Sequence, residues 1–187
     1  MANKRFVIDG FGQVELNNVA FRRDGRIEAQ CALDATDFAS IPAENGMLLN
    51  IDRLGRVVKL PEADGTDLVI GLHYSTEHIY DERTPGLKNF KLEVGEFLPR
   101  LGYLAVGDKW TTNCLSYDGN EFADDDALIA AFEALDASHP LYGGLDADTG
   151  AVLISANKPS YGTVLEVVEY TTMPDGQPAV MLRVLAC

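Results

Sequence analysis

Thr163–Thr172 (TVLEVVEYTT), Met173–Gln177 (MPDGQ) and Pro178–Leu185 (PAVMLRVL) form the stretch that decides the fold. Two runs rich in β-branched residues flank a Pro-Asp-Gly turn. Pro174 presets the first φ of that turn and Gly176 tolerates a positive one. Val164, Glu166, Val168 and Tyr170 alternate with Leu165, Val167 and Glu169. This period of two predicts an antiparallel pair with one mostly buried face and one mixed face. Val168 is expected on the buried side, where an aspartate would be a buried, unpaired charge.

The same grammar recurs along the rest of the chain. Asp9-Gly10, Asp24-Gly25, Asn45-Gly46, Asp64-Gly65 and Asp118-Gly119 punctuate the chain like Asp175-Gly176. Short alternating or β-branched runs lie between them, the pattern of a mainly β protein. Met47–Asp52 and Arg56–Leu60, joined by Arg53-Leu54-Gly55, read as a second hairpin. Further strand candidates are Phe6–Ile8, Arg26–Leu33, Leu68–Tyr74, Phe90–Val94, Trp110–Tyr117 and Val152–Ala156. One helix stands out. Asp124–Asp126 supplies an N-cap and favourable charge at the helix start. Ala127–Ala137 then places Leu128, Ile129, Phe132 and Leu135 on one apolar face, and His139-Pro140 stops it. The fold class that follows is mainly β: a compact antiparallel β-barrel or sandwich with one short α-helix near 124–137. Residues 1–45 differ in texture and read as an N-terminal segment, either an arm or a hairpin. Residues 46–187 read as the main β-domain.

The chain has 187 residues, enough for a sizeable core in one domain. Its formal charge is −14. Residues 1–93 carry 11 basic and 15 acidic side chains, net −4; residues 94–187 carry 4 and 14, net −10. Such a chain lacks the basic stripe of a nucleic-acid binder and is repelled by anionic membranes. No apolar run approaches the ~18 residues of a membrane helix. Met1–Gln13 (MANKRFVIDGFGQ) has no apolar stretch of secretory type, so no leader is expected. Cys31, Cys114 and Cys187 are odd in number and lack CxxC spacing, which argues against a disulfide framework or zinc site and fits a reducing compartment.

Several stretches could carry chemistry. Leu72–Arg83 (LHYSTEHIYDER) holds His73, Ser75, Glu77, His78, Asp81 and Glu82. Its histidines are five apart on strand-like sequence, which places them on opposite faces and disfavours a shared metal. His73, between Leu72 and Tyr74, reads as a half-buried structural residue. Asp118-Gly119-Asn120 followed by Asp124–Asp126 faintly matches a calcium loop, but Phe122 and Ala123 occupy the fifth and sixth positions. Gly143–Gly150 (GGLDADTG) reads as an exposed acidic loop. Cys114 lies in a strand pattern and reads as a buried, inert thiol. The aromatic residues, among them Phe97, have no interleaved cations and read as core or interface. No catalytic residue, cofactor site or metal ligand set is assigned. Arg22, Arg23 and Arg26 form the one locally basic stretch and are the candidate partner-binding residues, either on an arm or on a solvated turn.

Six segments carry a resemblance: Gly46–Asp52 (GMLLNID), Val57–Pro61 (VVKLP), Gly71–Glu77 (GLHYSTE), Pro85–Phe90 (PGLKNF), Val106–Asn113 (VGDKWTTN) and Tyr170–Pro178 (YTTMPDGQP). Over residues 46–185 the chain resembles small virion structural proteins of tailed bacteriophages, the capsid decoration or head-associated class. The matching motifs are turns and strand edges, so no functional residue carries over. The resemblance implies a virion protein assembled in the host bacterial cytoplasm. Its partners would be the major capsid protein or other virion proteins, and it would be a dimer or trimer with no cofactor, nucleic acid or membrane. Two alternatives stand beside it: a tail, neck or tube component, and a small β-barrel enzyme or ligand-binding protein with a pocket near His73–Asp81.

Overall fold

A computed structural model describes residues 3–21, 27–28, 31–62, 70–75, 87–160 and 162–187. The first strands in chain order are β1 (Asn3–Arg5), β2 (Val14–Asn18), β3 (Ile27–Glu28), β4 (Ala32–Leu33), β5 (Leu48–Asp52), β6 (Val57–Lys59) and β7 (Ile70–His73). Then come β8 (Leu101–Tyr103), β9 (Lys109–Thr112), β10 (Leu115–Asp118), helix α1 (Asp125–Glu133), β11 (Tyr142–Leu145), β12 (Val152–Ser155), β13 (Val164–Thr172) and β14 (Pro178–Ala186). They form an eight-stranded sheet, β1-β10-β12-β11-β13-β14-β9-β2, and a six-stranded sheet, β3-β8-β7-β5-β6-β4. All neighbours are antiparallel except β10–β12 and β4–β6, so both sheets are mixed. Of the two expected architectures, the sandwich-like one is found; the ladder of the described strands does not close into a barrel.

The large sheet nonetheless curls. β9 and β10 are separated only by Asn113-Cys114, yet four strands stand between them in the sheet. One continuous stretch, 109–118, therefore bends so that its first half meets β14 and its second half meets β12. Inside the curl lies the larger core, built on Trp110, Leu115, Ile154, Leu165, Leu182 and the helix residues Leu128 and Phe132. Leu48 and Leu72 of the smaller sheet enter the same core, which joins the two layers. A second core, with Leu49, Ile51, Val58 and Leu101, fills the other side of the smaller sheet. Residues 3–18 supply both edges of the large sheet, and 27–28 and 32–33 supply both edges of the small one. The described part of residues 1–45 is thus woven into both sheets.

The C-terminal hairpin forms with two register shifts, one between Val164 and Leu165 and one at Val168. Val167 pairs with Leu182 and Glu169 with Met181, which leaves Val168 as a β-bulge. The bulge reverses the alternation: Leu165 and Val167 face inward before it, and Tyr170 does so after it, stacked on Phe132 with ring centroids 5.6 Å apart. Val168 is therefore 39% exposed, not buried as the simple alternation implies. Val167→Asp is expected to cost at least about 3 kcal/mol, while Val168→Asp stays within about 1 kcal/mol. Paired urea titrations check this; equal losses would contradict the bulge.

The helix is shorter than its sequence pattern. Asp124 caps it, its Oδ1 accepting from the Ala127 N–H at 2.9 Å. It ends at Glu133 because the Asp136 carboxylate takes the Ser138 and His139 N–H groups and closes a turn there. The second hairpin is present as β5 and β6, with Asp52 accepting from the Leu54 and Gly55 N–H groups in its turn. Residues 90–94 form only an isolated bridge, Ala43–Leu92, and the expected strand at Phe6–Ile8 is not one: β1 lies wholly before it, at Asn3–Arg5. Gly143–Gly150 is not an exposed loop. Tyr142–Leu145 is an interior strand, and Asp146 is fully buried, accepting from Asn3 Nδ2, the Asp148 N–H and the Thr149 hydroxyl. Gly143 is required there: a Cβ would lie 2.7 Å from Val152 Cγ1.

Candidate functional site

A buried polar cluster lies where β1, the turn before β5, the 113–114 bend and β7 meet. Arg5 Nη2 donates to Glu44 Oε2 at 2.6 Å, and Arg5 Nη1 donates to Cys114 Sγ at 3.3 Å. The same Glu44 oxygen accepts the Gly12 N–H at 2.6 Å. A Cβ on Gly12 would lie 2.6 Å from the Asn45 carbonyl and 2.8 Å from Cys114 Cβ, so only glycine brings that N–H close enough. His73 is fully buried on β7. Its Nδ1 faces the Glu44 carbonyl at 2.7 Å, and its Nε2 faces Ser75 Oγ at 2.7 Å. A carbonyl only accepts, so Nδ1 carries the proton and Nε2 takes the serine hydroxyl. Ser75 Oγ in turn accepts the Arg100 N–H at 2.7 Å.

These groups bind segments together and are poorly set for chemistry. Burial pushes His73 down to about 4, so the imidazole is neutral at ordinary pH. Burial pushes the Cys114 thiol up to about 11 despite the adjacent Arg5, which keeps it protonated and weakly nucleophilic. Cys31 is buried as well, and Cys187 is exposed, donating its S–H to the Leu104 carbonyl at 3.2 Å. Titration with Ellman's reagent is therefore expected to find one fast thiol in the native protein and three after denaturation. A native burst of two would contradict the burial of Cys31 or Cys114.

The other sequence candidates fall as follows. Arg22, Arg23 and Arg26 lie outside the described residues, as do Glu77, His78, Asp81 and Glu82. His73 is not half-buried but wholly enclosed, because β7 sits inside its sheet between β8 and β5. The acidic residues near the helix point apart. Asp118 accepts from Asn120, Asp124 caps α1, and Asp125 accepts from the Tyr117 hydroxyl at 2.7 Å and the Val7 N–H at 2.9 Å. Among the described residues, no group of three His, Cys, Asp or Glu side chains is placed to hold a metal ion.

The surface feature that sequence reasoning missed is a turn at residues 93–97. Glu93 N–H donates to Glu96 Oε2 at 2.7 Å, and Glu96 N–H donates to the Glu93 carbonyl at 3.2 Å. Gly95 takes φ +88° with open space around it. This self-closed turn holds three apolar side chains out: Phe97 is 84% exposed, Leu98 47% and Val94 41%. Beside it opens a groove of about 430 Å³, walled by Phe38, Ala39, Ile41 and Pro42, with Lys91 and Glu93 at its rim. A second depression, about 540 Å³, lies between the end of α1 and β13, beside the Glu166–Arg183 ion pair and Val168. The first is the better candidate for a site. Three exposed apolar side chains grouped within five residues of one turn offer a partner more apolar surface than a lone exposed residue such as Leu54. In the sequence it shows only as a Phe97-Leu98 pair two residues after Gly95, outside any alternating run, which does not by itself mark it as exposed. Comparison with protein-family models, curated proteins and solved structures finds no match.

Proposed function

We propose that this chain is a virion structural protein that attaches to an assembled capsid, working as a dimer or trimer by adhesion. Its resemblance to capsid-associated proteins of tailed bacteriophages over residues 46–185 supports the class. The observation that carries the attachment is the 93–98 turn, which presents Val94, Phe97 and Leu98 to solvent on a hydrogen-bonded support. A rigid tip loses little conformational freedom when covered, so its burial converts efficiently into affinity. The two residues that could have served nucleophilic chemistry, Cys114 and His73, are enclosed and neutral, consistent with a role in holding the fold.

Electron microscopy of the purified protein, alone and mixed with empty capsids, tests the reading. Decoration of the capsid lattice, with only small oligomers in the protein alone, is the expected result. Binding should survive a rise in salt from about 0.1 to 1 M, which cuts the screening length from about 10 to 3 Å but leaves apolar burial in place. Rings or tubes formed by the protein alone would favour a tail, neck or tube component instead. Complete release at 1 M salt would overturn attachment by apolar burial.

A further inference from the structure

Charge around the 430 Å³ groove decides what can lie in it. Asp34 and Asp37 flank one wall, and Glu93 and Glu96 form the neighbouring turn. Asp34 is held below the usual carboxylate range by the Thr36 and Asp37 N–H groups, so it is charged at any ordinary pH. Asp37 Oδ2 accepts the Leu60 N–H, and Glu96 Oε2 accepts the Glu93 N–H, which fixes both carboxylates in place. The nearby cations are already engaged. Lys91 pairs with Glu93, and Lys59 pairs with Asp52 at 3.3 Å. With Lys59 and Asp52 a neutral pair, the four carboxylates of Asp34, Asp37, Glu93 and Glu96 against Lys91 leave an excess of three negative charges beside the groove. A second copy of this chain, itself at −14, would bring more negative charge to the same place.

We propose that the groove between residues 35–42 and the 93–98 turn is a docking site for a partner protein's cationic–apolar segment. A bulky apolar side chain of that segment packs on the exposed Val94 and Phe97 of the turn and reaches Ile41 and Pro42 in the groove. Lysine or arginine residues on either side of it meet Glu93, Glu96, Asp34 and Asp37. The apolar contact supplies most of the affinity, and the charges supply orientation and the choice of partner. This inference rests on the reading of the 93–98 turn as the attachment point and names the chemistry of what it attaches to.

The test uses two synthetic heptapeptides with the same leucine-tryptophan-leucine core, one flanked by lysines and the other by glutamates. Amide chemical shifts of the full chain are followed during titration with each. The lysine peptide is expected to move amides within 35–42 and 91–98 in a saturable way, at least tenfold more tightly than the glutamate peptide. Phe97→Ser should abolish the effect without lowering thermal stability, because the side chain is solvent-exposed. Glu93→Gln with Glu96→Gln keeps acceptors for the turn's hydrogen bonds and removes two charges, so it should weaken the lysine peptide three- to tenfold. Equal binding of both peptides, shifts confined to other surfaces, or a tip buried by self-association in sedimentation runs would each overturn the proposal. The outcome is separable from the capsid reading. Capsid binding that survives Phe97→Ser sinks this site alone, whereas peptide binding by a protein that never binds capsids sinks the capsid reading alone.

Discussion

Removal of residues 1–18 is expected to abolish cooperative unfolding altogether. The deletion takes away both edge strands of the large sheet, β1 beside β10 and β2 beside β9. It removes Phe6, which is 2% exposed in the main core, a loss of about 3–5 kcal/mol for a buried aromatic. It also strips Glu44 of both Arg5 and the Gly12 N–H. Glu44 is largely enclosed, and an enclosed carboxylate left without its partner costs about 3–5 kcal/mol. These two losses alone match the whole stability of a typical domain, about 5–15 kcal/mol. Circular dichroism during heating checks the result. A truncated chain that still melts sharply within a few degrees of the full chain would show that the N-terminal strands are dispensable. Arg5→Met, a milder change at the same place, should leave a folded protein weakened by about 2–4 kcal/mol.

Acid should weaken the protein well above the range where carboxylates titrate. His73 has a folded value of about 4, below the ordinary histidine value of 6.5, because burial disfavours its charged form. The unfolded chain therefore binds a proton between pH 6.5 and 4 that the folded chain refuses. Stability is full above pH 6.5 and falls as the pH drops toward 4, by about 3 kcal/mol in total. Charging His73 would also put a second donor on Ser75 Oγ, which already accepts the Arg100 N–H. The carboxylates held low by backbone hydrogen bonds, Asp34, Asp52 and Asp136, lose their contributions only below their ordinary value of 3.8. Urea midpoints measured from pH 7 to 4.5 separate the two windows. His73→Gln offers an amide that can donate to the Glu44 carbonyl and accept from Ser75, with no proton to gain. Its midpoint should stay level across the range where the wild type declines. A wild-type stability that is flat down to pH 4.5 would mean that water reaches His73.

The hairpins, the helix start and the mainly β class could be read because each rests on local chemistry. Pro174, Gly176, Asp52 and Asp124 act within three or four residues of themselves, and their partners are visible in the sequence. The sheet order could not be read in this way. That β1 and β2 part to opposite edges of one sheet depends on the bend at Asn113-Cys114, and on Arg5 reaching Glu44 39 residues away. β11 escaped notice because Tyr142-Gly143-Gly144-Leu145 resembles a loop. Gly143 is there for close strand packing, a reason that exists only once Val152 and Leu165 are in place. The bulge at Val168 likewise leaves no mark in an alternation that looks regular. The candidate surface lay in plain view as Val94, Phe97 and Leu98, but the sequence alone does not distinguish an exposed aromatic from a core one. Asp108 makes the same point for polar residues. Its carboxylate, buried behind β9, accepts the Ala20, Phe21 and Ala105 N–H groups and ties the start of the chain to the turn before that strand.

Attachment through the exposed turn is tested most directly by placing a photo-reactive phenylalanine analogue at position 97 and irradiating the protein on capsids. Position 54, whose leucine is 99% exposed in the β5–β6 turn, serves as the control site. A cross-link to a capsid protein from position 97, with none from position 54, is the predicted result. Capsid-bound protein that cross-links from position 54 and not from position 97 would contradict it.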